Sequence, residues 1–362
     1  MDTESFLLPV VDVVEETAEA VSVSLEVTPE AAPYFDYKPG QFLTVAVPSD
    51  QTGLAARCYS LSSSPLDEGP ITITVKRTAD GYASNWIAEH LEPGDRLRVL
   101  PPSGIFTPKS LDDDLLLFAG GSGITPVISI VRTALRKGSG QVVLFYANRD
   151  QDSVIFGRQL AELAREHADR FVVVHWLESV QGLPTQEQLA TFARQFADHT
   201  AFVCGPGPYM KAATGALKEL GFPRERRHQE KFVSLGGNPF GDVEEMRLFQ
   251  EGVADADDHE EGDDAPGPSG PVHVDVELDG NHYSFDDYDP RMRLLDFLES
   301  KGLDAPFSCR EGQCSACACV VLEGEVSMAH NEVLEEEDLA DGIRLACQST
   351  PRTEKLRITY NG

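Results

Sequence analysis

The sequence predicts a multidomain chain: an antiparallel β-barrel, then an α/β domain built on a parallel sheet, then a small α+β domain of β-grasp type. Three observations predict it. Short strands broken by turn residues fill the first part, apolar strands alternating with longer helices fill the middle, and a cysteine-rich loop among alternating residues closes the chain. A length of 362 residues suits two or three domains at roughly 100–200 residues each. The boundaries fall at 1–109, 110–235 and 271–362, with an acidic flexible linker over 236–270.

In the first domain the strands read as Val21–Val27, Gln41–Val47, Ile71–Arg77 and Arg96–Leu100, with Pro-Gly and Asp-Gly signals between them. One helix, Ser84–Leu91, interrupts them, because Trp86, Ile87 and His90 fall at helical spacing. After Leu111 the rhythm changes. Leu115–Ala119, Val142–Ala147, Phe171–Trp176 and Ala201–Cys204 read as buried strands, separated by helices from Thr125, near Ile155–His167 and near Gln186–Phe196. From Gly236 to Gly270 periodicity is lost, and the run from Ala254 to Asp264 is strongly acidic. As a coil, about 35 residues would reach roughly 30–35 Å, or serve simply for solubility. Beyond Pro271, alternation over Val272–Leu278 and a helix at Leu294–Ser300 frame the last domain.

A formal net charge of −30 argues against nucleic acid and anionic membranes, whose phosphates this surface would repel, and favours a basic protein partner. No apolar run reaches the ~18 residues a membrane span needs, and Met1–Ser5 lacks a basic signal-peptide region, so a cytoplasmic location is expected. Cysteine usage agrees with a reducing compartment.

Cys309, Cys314, Cys317 and Cys347 stand at C-x4-C-x2-C with a remote fourth, the ligand spacing of a plant-type [2Fe–2S] cluster. Structural zinc usually takes two paired C-x2-C arms and fits this spacing poorly. Gly312, Ser315, Ala316 and Ala318 are small enough for a tight loop that aims backbone N–H groups at the inorganic sulfurs. Cys319 reads as a buried strand cysteine pointing away from the cluster. Plant-type clusters lie near about −400 mV, low for a nicotinamide-driven donor, so a raised potential is expected.

Arg57-Cys58-Tyr59-Ser60 ends a barrel strand with a cation, an aromatic ring and a hydroxyl. Arg57 suits a pyrophosphate, Tyr59 an isoalloxazine face and Ser60 the reactive flavin edge. Gly81-Tyr82-Ala83-Ser84 opens the helix, with Ser84 as its expected N-cap and free backbone N–H groups for an anion. On the strand before it, Val75 and Lys76 line the same pocket, or Lys76 is a solvated edge-strand lysine. In the second domain Gly120-Gly121-Ser122-Gly123-Ile124-Thr125-Pro126 follows a strand and opens a helix, as a dinucleotide loop does. Cys204-Gly205-Pro206 occupies another turn on the same sheet edge. Asn148-Arg149-Asp150 falls near an adenosine ribose. Asp150 there favours NADH or is a turn acid, whereas Arg149 leaves NADPH open.

Together these motifs resemble the ferredoxin–NADP⁺ reductase superfamily with a plant-type ferredoxin appended, the order of oxygenase reductase components. Longer strings sharpen the likeness: Arg57–Leu61, Thr74–Trp86, Tyr146–Asp150, His175–Ser179 and Ala305–Gly312 are similar to the reductase components of actinobacterial 3-ketosteroid 9α-hydroxylases. The resemblance covers nearly the whole chain outside the linker. It implies an NAD(P)H-dependent oxidoreductase that holds FAD rather than FMN and passes electrons from NADH through FAD and [2Fe–2S] to a Rieske-type terminal oxygenase in steroid catabolism. It also implies that Ser60, Cys204 and Glu230 lie near the flavin and nicotinamide rings, with Phe232 over a flavin face. A reductase of phenylacetyl-CoA epoxidase or of an aromatic-ring oxygenase is the alternative within this architecture, and a redox sensor without turnover the alternative of another class.

Overall fold

The computed structural model describes residues 5–49, 53–79, 81–232, 240, 268, 270–278, 280–303, 305–307 and 309–360. The expected acidic linker lies, over 241–267, outside the described residues. Among those described, no helix is long and apolar enough to cross a membrane.

The barrel is built from β1 (Phe6–Thr17), β2 (Ala20–Leu25), β3 (Phe42–Ser49), β4 (Gly53–Ser60), β5 (Ile71–Lys76) and β6 (Arg96–Val99), in the order β4-β3-β6-β1-β2-β5. A bridge between Leu61 and Ile73 joins the two ends of that order and closes the sheet on itself. Inward-facing Val23, Leu43, Val45, Ile73 and Val99 fill it and are wholly buried. The long first strand does two jobs. Phe6–Pro9 pairs with β6 and Val10–Thr17 with β2, with a register shift between Val10 and Asp12 where it passes from one partner to the other.

The helix α1 runs Tyr82–His90, and the expectation that Ser84 caps it is corrected. Gly81 is the N-cap, and Ser84 sits one turn in, where its Oγ accepts from the Thr78 N–H at 3.2 Å. The hydroxyl serves the loop before the helix because the chain already turns helical at Tyr82, bringing Ser84 back over Thr78.

Five parallel strands follow in the order β11-β10-β7-β8-β9. They are β7 (Leu115–Gly120), β8 (Val142–Asn148), β9 (Phe171–Leu177), β10 (Thr200–Cys204) and β11 (Arg227–Glu230). Every residue of β7 and β8 is buried, as a strand covered on both faces requires. Alternation divides them: Leu115, Leu117, Val142 and Leu144 pack with α2 (Ile124–Lys137) and α3 (Gly157–Glu166), whereas Leu116, Phe118, Val143 and Phe145 pack with α5 (Gln186–Ala193) and α6 (Gly207–Glu219). The short α4 (Glu178–Gln181) follows β9.

Barrel and parallel sheet form one compact unit, Ser5–Ser49 with Arg57–Phe232. Helix α2 is fastened to the barrel segment after β4. Ser129 Oγ donates to the Ser63 carbonyl at 2.6 Å, Arg132 to the Ser62 carbonyl at 2.7 Å and Arg136 to the Leu66 carbonyl at 3.0 Å. Ser64 and Thr133 hydroxyls meet at 2.8 Å, and Arg136 pairs with Asp67.

The C-terminal unit holds a mixed five-stranded sheet, β13-β12-β18-β14-β16, from β12 (Val272–Leu278), β13 (Asn281–Tyr288), β14 (Ala318–Glu323), β16 (Ile343–Leu345) and β18 (Lys355–Thr359). The parallel β12–β18 pair between antiparallel neighbours is the β-grasp arrangement expected. A helix, α7 (Leu294–Ser300), packs on it through Leu294, Leu295 and Leu298. The pair β15 (Val326–Met328) with β17 (Ser349–Pro351) and the short α8 (Glu336–Ala340) complete the unit.

Candidate functional site

Two glycine turns meet at the carboxyl edge of the parallel sheet because β7 and β10 are neighbours, Ala119 facing Cys204. A Cβ on Gly123 would stand 2.1 Å from the Cys204 carbonyl oxygen, so the turns pack backbone to backbone and only glycine fits. Gly121 adopts a positive φ of 52°, a conformation that side chains resist. Tyr146 fixes this loop, its OH donating to the Gly121 carbonyl at 3.1 Å. Thr125 Oγ1 ties back to the Ser122 carbonyl, and Pro126 is buried in the first turn of α2, where a missing N–H costs nothing. Gly205 and Pro206 lie directly against Gly120.

Cys204 and Glu230 are Cα partners at the ends of β10 and β11. Both are buried, and Glu230 Oε2 has no hydrogen-bond partner. Desolvation without compensation pushes the Glu230 carboxyl up to about 8, so at neutral pH it holds a proton. The Cys204 thiol is raised first by burial and, at the higher pH where Glu230 has ionised, by that neighbouring charge, so it stays protonated at neutral pH. Asn148, at the end of β8, is likewise buried with both amide atoms unpartnered. Unpaired buried polar atoms are costly, and their placement on the edge where α/β sheets bind nucleotides fits a ligand with amide and hydroxyl groups. Asp150 is tied into its own turn: its Oδ1 accepts from the Ser153 N–H at 2.9 Å and its Oδ2 from Arg149 Nε at 3.0 Å.

In the barrel, Ser60 is buried at the end of β4 and Tyr59 packs against the barrel core, where burial holds its phenol protonated. The Val75 side chain is buried inside the barrel, which leaves only its main chain to a ligand. Lys76 is no free edge lysine. Its Nζ lies 3.8 Å from the Cβ position of Gly121 and 3.6 Å from Glu19. The first turn of α1, Tyr82 to Ser84 after Gly81, has no side-chain cap, and Ala83 and Ser84 are buried. Arg57 is half-buried, and Phe232 stands exposed just beyond β11.

The four spaced cysteines come together. Cys309, Cys314, Cys317 and Cys347 are all buried; the Cys309 N–H donates to Cys314 Sγ at 3.5 Å, and the Cys347 thiol lies beside those of Cys309 and Cys317. Cys309 Sγ accepts from the Glu311 N–H at 3.4 Å and the Gln313 N–H at 3.3 Å, contacts that favour its thiolate. Thiolates in such a nest are what an iron–sulfur cluster requires. Cys319 is buried on β14 opposite Arg344, as expected of a strand cysteine. The loop is held open at Gly312, φ 74°, and at Arg310, φ 58°. Arg310 accounts for its strain. It pairs with Asp296 at 3.2 Å and with Glu299, stacks 4.0 Å over Phe307, and its carbonyl accepts from Gln348 at 2.7 Å. Among the described residues no group of three or more His, Cys, Asp and Glu side chains, the four cysteines included, is arranged about a single metal position.

Sequence reasoning missed Glu19, Tyr146 and Arg310 as site residues. The last two lie inside motif strings and carried a signal; Glu19, in a two-residue turn, carried none.

Comparison with known proteins covers all three parts. Residues 9–107 match an oxidoreductase FAD-binding domain, 117–215 an oxidoreductase NAD-binding domain and 276–352 a 2Fe-2S iron-sulfur cluster binding domain. The chain is 49% identical over 358 residues to the ferredoxin reductase component of 3-ketosteroid-9-alpha-monooxygenase from Rhodococcus rhodochrous, covering 99% of this chain and 97% of that protein. It is 30% identical to one component of the 1,2-phenylacetyl-CoA epoxidase of Escherichia coli, over 98% and 97% of the two chains. The solved structure of phthalate dioxygenase reductase aligns with a TM-score of 0.57 at 22% identity over 98% of each chain, which establishes a shared fold.

Proposed function

This chain belongs to the family of ferredoxin reductase components of 3-ketosteroid-9-alpha-monooxygenase, and from that premise we propose that it draws electrons from NADH and delivers them singly to a Rieske-type terminal oxygenase that hydroxylates a 3-ketosteroid. The observation that carries the reading is the presence on one chain of a flavin barrel, a nucleotide sheet edge and a nest of four buried cysteines. The bound groups would supply acceptance of a hydride at FAD and one-electron relay at [2Fe–2S].

The chain's own residues supply placement and electrostatics. Arg57, Tyr59, Ser60, Lys76, the Val75 main chain and the turn of Gly81, Ala83 and Ser84 would hold the flavin. Gly121, Gly123, Thr125, Pro126, Asn148, Arg149, Asp150, Gly205 and Pro206 would hold the nucleotide. Cys204 and Glu230 lie side by side, uncharged at neutral pH, so that they present no negative charge to an incoming hydride, and Glu230 can store a proton at Oε2. Phe232 would cover a flavin face. Cys309, Cys314, Cys317 and Cys347 would ligate the cluster. The domain limits that go with this reading are 1–109, 110–235 and 271–362, with 236–270 as the connecting segment.

The test is NADH-dependent hydroxylation of androstenedione by this protein with a purified steroid 9α-oxygenase, with cytochrome c reduction alongside. Product formed in step with NADH use supports the reading. Active cytochrome c reduction without product keeps the reductase and moves the partner elsewhere.

A further inference from the structure

The turn between β1 and β2 carries Glu19 to the edge of the nucleotide site. Its main chain is fixed: the N–H donates to Thr17 Oγ1 at 3.2 Å and the carbonyl accepts from the Arg77 N–H at 2.7 Å. The next residue, Ala20, is buried in the core of the parallel-sheet domain and pairs with Lys76 across β5. The hairpin tip is therefore seated on the sheet domain. From there the Glu19 carboxylate meets Arg149 at 3.1 Å and Lys76 at 3.6 Å, while Arg149 also bonds Asp150 at 3.0 Å. Two cations and two carboxylates thus run from the phosphate turn to the ribose turn, and their formal charges cancel.

We infer that Glu19 is a specificity-determining residue for the pyridine nucleotide: by engaging Arg149 it denies the guanidinium to a 2′-phosphate and favours NADH over NADPH. The inference rests on the reading of residues 148–150 as the ribose site. A 2′-phosphate is held by a guanidinium that presents its fork of N–H donors. Here the fork is shared between two carboxylates, and an approaching phosphate meets both negative charges. The 2′-hydroxyl of NADH makes no such demand. Removing the Glu19 charge leaves the group of four at +1 and frees one side of Arg149.

The experiment compares Glu19→Gln, Arg149→Gln, the double variant of these two and Asp150→Ala as full-length, cofactor-loaded protein. It reads kcat/KM for cytochrome c reduction with each nucleotide, and calorimetric binding of 2′,5′-ADP against 5′-ADP. Because the pairs are partly exposed, the expected rise in the NADPH-to-NADH ratio for Glu19→Gln is about fivefold, carried by KM for NADPH and matched in 2′,5′-ADP affinity. The double variant should lose both gains. A rise under threefold overturns the inference, as does a gain that survives without Arg149. If Arg149→Gln shifts binding and Glu19→Gln does not, the role of Glu19 falls alone. If Arg149→Gln and Asp150→Ala alter binding of neither nucleotide, the ribose-site reading falls and takes the inference with it.

Discussion

Replacing Glu230 by Gln isolates the cost of a carboxyl buried without a partner. Its ordinary value of 4.5 is displaced to about 8 in the folded chain, so the unfolded chain ionises first as pH rises. A raised value of this kind contributes stability that is present below pH 4.5 and is lost between there and about 8. At 1.36 kcal/mol per pH unit the loss is about 3 kcal/mol by pH 7 and about 4 kcal/mol by pH 8, where the folded carboxyl is itself half ionised. Glutamine keeps the shape without the proton, so Glu230→Gln should gain on the natural protein by those amounts as pH rises from 4.5. Urea unfolding at half-unit steps from pH 5 to 8.5 measures it. Trp86 and Trp176 both lie in the unit that contains Glu230, so tryptophan emission follows the relevant transition. Two stability curves that stay parallel over this range would show that Glu230 titrates normally, and would refute the argument from desolvation.

The remaining predictions concern backbone contact, ligand choice and delivery. Gly123→Ala, forced against the Cys204 carbonyl, should cut kcat/KM for NADH on the order of a hundredfold while flavin stays bound, as steady-state kinetics and flavin absorbance will show. Cys347→Ser should lose the visible cluster spectrum, and Cys319→Ala should keep it; the reverse would exchange their assigned roles. Deleting Ala254–Gly270 should leave NADH-to-dye turnover intact and slow electron delivery to the oxygenase. Equal loss of both rates would end the idea of a delivery segment.

Much of the architecture was legible because burial on two faces leaves a simple trace. The apolar runs at Leu115, Val142 and Ala201 mark the sheet, and the cysteine spacing singles out Cys347, which the fold brings beside Cys309 and Cys317, across a gap no local rule spans. What escaped was decided by tertiary partners. The strand Phe6–Thr17 changes neighbours midway, so no single period describes it. Ser84 looked like a cap by type, yet the hydroxyl turned to Thr78 because the helix had begun earlier. Glu19 became notable only when the fold brought Arg149, 130 positions away in sequence, to its carboxylate.

The fastening of α2 to the barrel has an asymmetry that bears on how such reductases can diverge or be recombined. Ser129, Arg132 and Arg136 recognise carbonyl oxygens of residues 62, 63 and 66, which any amino acid supplies. The helix must therefore keep these side chains, whereas the barrel must keep its path and, of its own side chains, Ser64 and Asp67, which meet Thr133 and Arg136. A chimera that grafts a foreign barrel onto this sheet domain should assemble, provided the incoming loop has the same length and keeps those two residues, and one that imports a foreign α2 should not.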